Sequence, residues 1–161
     1  MLRSLDLALL RLLRTHGHAP RVERGVLLFS RAGEHGGLWH AVAALGLLAD
    51  PRGRQAYLRC IRCVLAAYAV NTALKYLFRR ARPVLEEMPR LAPTISGHSY
   101  PSAHSAMSFA AARVLSERLP TPPLYAAATA MALSRPYLGV HYPTDVLAGA
   151  GLGNAAARLT P

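Results

Sequence analysis

Apolar residues fill this chain in runs of helical rather than strand length, and Pro, Gly or charge punctuates the runs. From Met1 to Arg14 the leucines are interrupted by Arg3, Asp6, Arg11 and Arg14. That pattern predicts an amphipathic helix lying at a membrane interface, with the interfacial region extending over residues 1–30, and it does not read as a cleavable signal. The first apolar span runs from Gly36 to Ala49 and stops at Asp50-Pro51-Arg52-Gly53. The second is the clearest, Tyr57 to Phe78, ending in Arg79-Arg80-Ala81-Arg82-Pro83. A polar, Pro-rich loop follows to Tyr100. The third span runs from Pro101-Ser102 to Leu119, where proline at the first turn suits a helix start. The fourth covers Leu124 to Leu138 and the fifth Tyr142 to Ala157, the last rich in the small residues that let helices approach closely. The expected fold class is all-α: an integral-membrane bundle of about five transmembrane helices plus the N-terminal amphipathic helix, in one domain over residues 1–161.

Composition sharpens this picture. The 161 residues are 52% hydrophobic and 17% charged, yet Lys and Arg outnumber Asp and Glu by 19 to 8. Lys75 is the single lysine, so the excess is almost all arginine. So apolar a chain is not expected to bind nucleic acid; the charge fits membrane flanks and an anionic ligand. Cys60 and Cys63 fall inside the second span and are expected to be packing residues. Arg113, inside the third span, is expected to snorkel to the interface and pair with Glu117 one turn on. Arg79 and Arg80 read in large part as flanking charges that orient the second span.

Counting crossings brings distant residues together. The second span exits at Lys75–Arg82, the third begins on that same side at Ser102 and His104, the fourth returns to it at Ser134-Arg135, and the fifth starts there at His141 and Asp145. Lys75, Arg82 and Arg135 can hold an anion, arginine by its planar fork and lysine as a point charge. Ser102 and the free N–H groups of a helix start add donors. His141 and Asp145, four apart, share a helix face if the turn there is helical; a carboxylate on one ring nitrogen leaves the other free to attack phosphorus. His104 can protonate the leaving oxygen and then activate water. A zinc site from His98, His104, His141 and Asp145 has no metal-motif spacing and too much nearby arginine, so no metal and no cofactor is expected. A serine hydrolase built on Ser102 lacks the Gly-x-Ser-x-Gly elbow. A non-catalytic protein that binds anionic lipids is the rival of another class.

Three stretches resemble the signatures of the type-2 phosphatidic acid phosphatase superfamily, Lys-x6-Arg-Pro, Pro-Ser-Gly-His and Ser-Arg-x5-His-x3-Asp. They read here Lys75-x6-Arg82-Pro83, Pro101-Ser102-Ala103-His104 and Ser134-Arg135-x5-His141-x3-Asp145, with Ala103 replacing the usual glycine. The likeness covers about Tyr57 to Leu152. It implies that Lys75, Arg82, Ser102, Ala103, His104 and Arg135 bind phosphate. By the same likeness His104 is acid and base, His141 the nucleophile and Asp145 its partner. No metal is needed, and the substrate is a lipid phosphate. The stretch Phe29 to His35 is similar to small actinobacterial members associated with removing the 5-phosphate of decaprenylphosphoryl-phosphoribose. Crossing parity puts Glu34 and His35 on the active face, as possible head-group contacts. The arginine balance between the two faces, with Arg79, Arg80, Arg82 and Arg90 on the site's side, predicts that this side is cytoplasmic.

Overall fold

The protein is described here from a computed structural model covering residues 2–161. Met1 and the side chains of Leu2 and Arg3, on which part of the N-terminal expectation falls, lie outside the described residues. The described residues form seven helices: α1 Leu2–Thr15, α2 Pro20–Ala32, α3 Gly37–Ala49, α4 Arg54–Phe78, α5 Ala103–Leu115, α6 Thr121–Tyr137 and α7 Pro143–Leu159. Among them no strand occurs; a single antiparallel bridge joins Ala81 to His98 in the long loop. The fold is all-α, as the pattern predicts.

Helix α5 is the axis of the bundle. Its serines, alanines, Met107, Val114 and Leu115 are buried on nearly every side, and it packs against α4, α6 and α7. A helix buried all round needs slim neighbours, and α7 supplies them. A Cβ on Gly153 would sit 2.1 Å from the Ala106 carbonyl oxygen, and one on Gly149 2.4 Å from that of Ser102. The two glycines, one turn apart, therefore let the backbones touch. Ser105 on α5 donates to the Val146 carbonyl across this seam at 2.7 Å. On the other side of α5, Trp39, Tyr57, Val64 and Met107 fill the core, with Cys60 and Cys63 both free and buried among them. Their role is packing, as the apolar context predicts.

The outer surface is lipid-like. The stretch Pro51–Phe78 is long and apolar enough to cross a bilayer, yet only 22% of its apolar window is buried. A core helix of a water-soluble domain would be mostly covered. Instead α4 exposes Leu58, Leu65, Val70, Leu77 and Phe78, and α7 exposes Leu147 and Leu159. Exposed apolar area on this scale marks a surface that meets a membrane or another protein.

Several boundaries differ from the sequence reading. Helix α5 is shorter at both ends: Ser102 is its N-cap, Pro101 precedes that cap, and Leu115 ends it. Glu117 therefore lies beyond the helix, where i,i+4 spacing no longer holds, and it pairs with Arg59 of α4 rather than with Arg113. Arg113 is exposed. The region before the first span is two helices rather than one: α1, and α2 with Pro20 in its first turn. A sharp bend at Gly33–Gly36 joins α2 to α3, with His35 at φ 51° and Gly36 at φ 76°. Gly36 is confined further, since a Cβ there would fall 2.5 Å from Val64.

Helix α1 is amphipathic with its polar positions inward. Asp6, Leu10 and Arg14, one turn apart, are buried against the protein, while Leu5, Leu9, Leu12 and Leu13 are exposed. Arg14 ties the helix down by donating to the carbonyls of Tyr137 (2.9 Å) and Pro89 (2.8 Å).

Candidate active site

At one end of the bundle a cavity of about 170 Å³ is lined by Lys75 from α4, Arg82 from the loop, Ala103 and His104 from α5, Arg135 from α6 and His141 from the turn before α7. Glu34, His35, Tyr68, Thr72 and Tyr76 also line it, with loop residues 93–96 at its border. Helix parity had gathered these residues on one face, and here they share one cavity. Ser102 and Asp145 stand behind it. Ser102 is fully buried and caps α5 through Ser105 N–H at 3.5 Å, and its own N–H donates to the Asp145 carbonyl at 2.9 Å.

His141 is buried and lies in the α6–α7 turn, not on a helix face with Asp145. Its neighbours differ at the two ring nitrogens. Arg82 Nη1 donates toward Nε2 at 3.2 Å. Nδ1 faces Asp145 Oδ2 at 3.5 Å and has no closer partner. A guanidinium cannot accept, so Nε2 carries the lone pair and the ring proton sits on Nδ1, toward the carboxylate. Burial holds the imidazole well below its usual 6.5, and Arg82, Arg135 and Lys75 push the same way. It is therefore neutral at pH 7.

The cations are held by backbone carbonyls. Arg82 donates through Nε to Ser96 (2.8 Å) and through Nη1 to Val140 (2.7 Å), and burial together with Arg90 pushes it down to about 10. Lys75 donates to the carbonyls of His98 (3.2 Å) and Ser99 (3.3 Å). Ser99 in turn anchors to Arg80 and Ala81, closing the loop back on itself. Arg135 reaches the Ser30 hydroxyl at the end of α2, and its buried Nε has no protein partner. His104 Nε2 donates to the Ser30 carbonyl at 3.1 Å. One residue of α2 thus contacts both a cation and an imidazole of the cavity; Ser30 lies in the stretch Phe29 to His35 that the family likeness marks, but that likeness gave it no role.

Arg80 is a correction to the sequence reading. It is not a flanking charge. It lies between two carboxylates, 2.7 Å from Asp145 Oδ1 and 2.7 Å from Asp6 Oδ2, with its guanidinium 4.1 Å from the centre of the Tyr142 ring. Arg79 is exposed and closes the end of α4. His98 packs edge-on against Tyr76.

A lipid-facing helical bundle that concentrates cations and neutral imidazole around one recess defines a membrane protein that handles an anionic group. The comparisons with known proteins say which kind. The model of the PAP2 superfamily matches residues 56–161. A decaprenylphosphoryl-5-phosphoribose phosphatase of Mycolicibacterium smegmatis is 39% identical over 130 residues, covering 81% of this chain and 72% of that protein. The protein of the same name in Mycobacterium tuberculosis H37Rv is 39% identical over 77% of this chain and 70% of its own length. Among solved structures, Aquifex aeolicus LpxE superposes with a TM-score of 0.83 at 27% identity, over 97% of this chain and 94% of that one. A PAP2-type phosphatidylglycerolphosphate phosphatase from Bacillus subtilis shares the fold, with a TM-score of 0.79 at 23% identity over 99% of this chain and 84% of that one. The chain belongs to the PAP2 superfamily. It is a membrane phosphatase, a hydrolase of phosphoric monoesters that acts on lipid phosphates.

Proposed function

We propose that the cavity removes the terminal phosphate of a polyprenyl-linked phosphosugar, decaprenylphosphoryl-5-phosphoribose, in two displacements through a phosphohistidine. In the first, His141 Nε2 attacks phosphorus and the sugar C5 oxygen leaves, taking a proton from His104. In the second, His104 takes a proton from water, the resulting hydroxide attacks the phosphohistidine, and inorganic phosphate leaves His141 neutral again. Lys75, Arg82 and Arg135 hold the equatorial oxygens while charge spreads over them. Arg135 Nε, buried and without a protein partner, is a donor suited to one of those oxygens. The first-turn N–H groups at Ala103 and His104 add to the cradle. Asp145 keeps the ring proton of His141 on Nδ1; their 3.5 Å separation is long, and such contacts tighten when substrate is bound.

The observation that carries this reading is the buried imidazole of His141, its Nε2 lone pair turned toward Arg82 in a cavity that Lys75 and Arg135 also line. The sugar assignment rests on the two mycobacterial relatives and on Glu34 and His35, polar residues beside the phosphate cradle that can bond sugar hydroxyls. We assign the membrane crossings to α3 through α7, with α1 lying at the interface on its exposed leucines, and the site to the cytoplasmic face. A cysteine placed at Met88 in the Cys60- and Cys63-free protein should resist an impermeant maleimide in intact cells; labelling from outside overturns that assignment.

Phosphate release decides the chemistry. Decaprenylphosphoryl-5-phosphoribose should be turned over faster than phosphatidic acid, phosphatidylglycerophosphate or undecaprenyl pyrophosphate. His141→Ala should abolish release, and EDTA should leave it unchanged. Preference for another lipid on the panel refutes the substrate, and turnover near wild type in His141→Ala refutes the nucleophile.

A further inference from the structure

We infer that Arg80 and Asp6 are positioning residues for His141, acting through Asp145, so that helix α1 belongs to the catalytic apparatus; this rests on His141 being the nucleophile. The two oxygens of Asp145 do different jobs. Oδ2 accepts the Tyr142 N–H at 2.9 Å and faces His141 Nδ1 at 3.5 Å. Oδ1 accepts Arg80 Nη1 at 2.7 Å. The direction of Oδ2 toward the imidazole is therefore set jointly by the Tyr142 N–H and by what holds Oδ1. Asp145 has no solvent exposure, and a buried carboxylate without a charge partner is costly enough to be neutralised or moved. Arg80 is the guanidinium that makes an ion pair with it.

Arg80 is itself fixed. Its Nη2 donates to Asp6 Oδ2 at 2.7 Å, its Nη1 also donates to the Thr144 hydroxyl at 2.8 Å, and its plane lies over Tyr142. Asp6 is 2% exposed and also accepts from Thr144, through N–H at 3.0 Å and hydroxyl at 2.5 Å. A planar fork held between two buried carboxylates has little freedom. The chain Asp6–Arg80–Asp145–His141 thus runs from a surface helix to Nδ1 of the imidazole, on the far side of the ring from the attacking Nε2. Neither Asp6 nor Arg80 lines the cavity, so their loss should change turnover and not substrate affinity. A misplaced nucleophile costs up to about 100-fold in rate.

The test uses the full chain in detergent and the panel lipid it turns over fastest. kcat, KM and thermal midpoint are measured for Asp6→Asn, Arg80→Gln and Arg80→Lys, each alone and with Asp145→Asn. Asp6→Asn and Arg80→Gln should lower kcat by about 10–100-fold with KM within about twofold, and Arg80→Lys, which keeps the charge, should recover part of the loss. In the Asp145→Asn background Arg80→Gln should cost nothing further, because the two act as one unit. Wild-type kcat in folded Arg80→Gln overturns the inference, as does the same fold-loss with and without Asp145. If Arg80→Gln does not fold, Asp6→Asn and Arg80→Lys decide by the same comparison. Turnover retained in His141→Ala would instead refute the nucleophile, a separate result.

Discussion

The seam between α5 and α7 gives a sharp quantitative test. A methyl group added at Gly153 would lie 2.1 Å from the Ala106 carbonyl oxygen and 2.9 Å from the Ala110 nitrogen, where ordinary contact begins at 3.4 Å. Both obstacles are backbone atoms of the most buried helix, so neither can rotate away. Relief requires α7 to withdraw by about 1 Å, and overpacking of this kind costs about 1–3 kcal/mol, occasionally more. Gly151 lies half a turn away on the same helix, and a methyl group there meets nothing within 4 Å. Alanine at either site brings about 1 kcal/mol of helix propensity. That gain cancels in the comparison, so Gly153→Ala should be less stable than Gly151→Ala by about 1–3 kcal/mol, at about 2–4 °C of melting midpoint per kcal/mol for a chain this size. A catalytic effect of comparable size should accompany it. Asp145 is on α7 and His141 just before it, and a 1 Å misplacement costs about 100-fold in rate. Differential scanning fluorimetry in detergent reads the first quantity and phosphate release the second. If the two alanine variants match in both, the close approach of α5 and α7 does not set the geometry of the site.

Protonation of His141 should appear in stability. Its native pKa lies below the ordinary 6.5, so the unfolded chain takes up a proton before the native one does. The stabilisation is present above pH 6.5 and is lost as pH falls through the native value, at a slope of up to about 1.4 kcal/mol per pH unit. Melting midpoints measured from pH 7.5 to 5 should fall in the wild type and fall less in His141→Asn; equal slopes refute the assignment. Ser30→Ala removes the hydroxyl partner of Arg135 but keeps the carbonyl that His104 uses. Loss of one hydrogen bond to a charged group should raise KM by about 10-fold and leave kcat nearly unchanged; a fall confined to kcat would show that Ser30 serves the histidine instead.

Much of the site was legible because its residues are out of place in their surroundings. Lys75, Arg82 and Arg135 stand at the edges of apolar segments, where charge needs a reason, and crossing parity alone puts them beside His104 and His141. Arg80 was misread for a physical reason. A run of arginines after a span looks the same whether its members orient the helix or reach inward, and the partners of Arg80 lie 65 and 74 residues away. The role of Ser30 is likewise unreadable although it lies in the marked stretch Phe29 to His35, because its contact with Arg135 spans 105 residues. Asp6 read only as a charge interrupting an amphipathic helix, whereas α1 turns Asp6 and Arg14 inward with Leu10 and leaves Leu5, Leu9, Leu12 and Leu13 out. The sense in which an amphipathic helix faces depends on whether lipid or protein lies on each side, and periodicity does not encode that. The ends of α5 moved because Ser102 caps it and Ser116 closes it, local details that hydropathy averages over.

Lys75 and Arg82 grip the loop between α4 and α5 through the carbonyls of Ser96, His98 and Ser99, and Arg82 N–H bonds Gly97. Every one of these loop atoms is main chain. Apart from the hydroxyls of Ser96 and Ser99, this hold on the loop does not use its side chains, and exchange of Pro93, Thr94 and Ile95, which border the cavity, should leave the cations held. For an engineer this separates two problems that are usually entangled: the cavity border at residues 93–95 can be resequenced while the cations stay on a main-chain frame those exchanges do not touch.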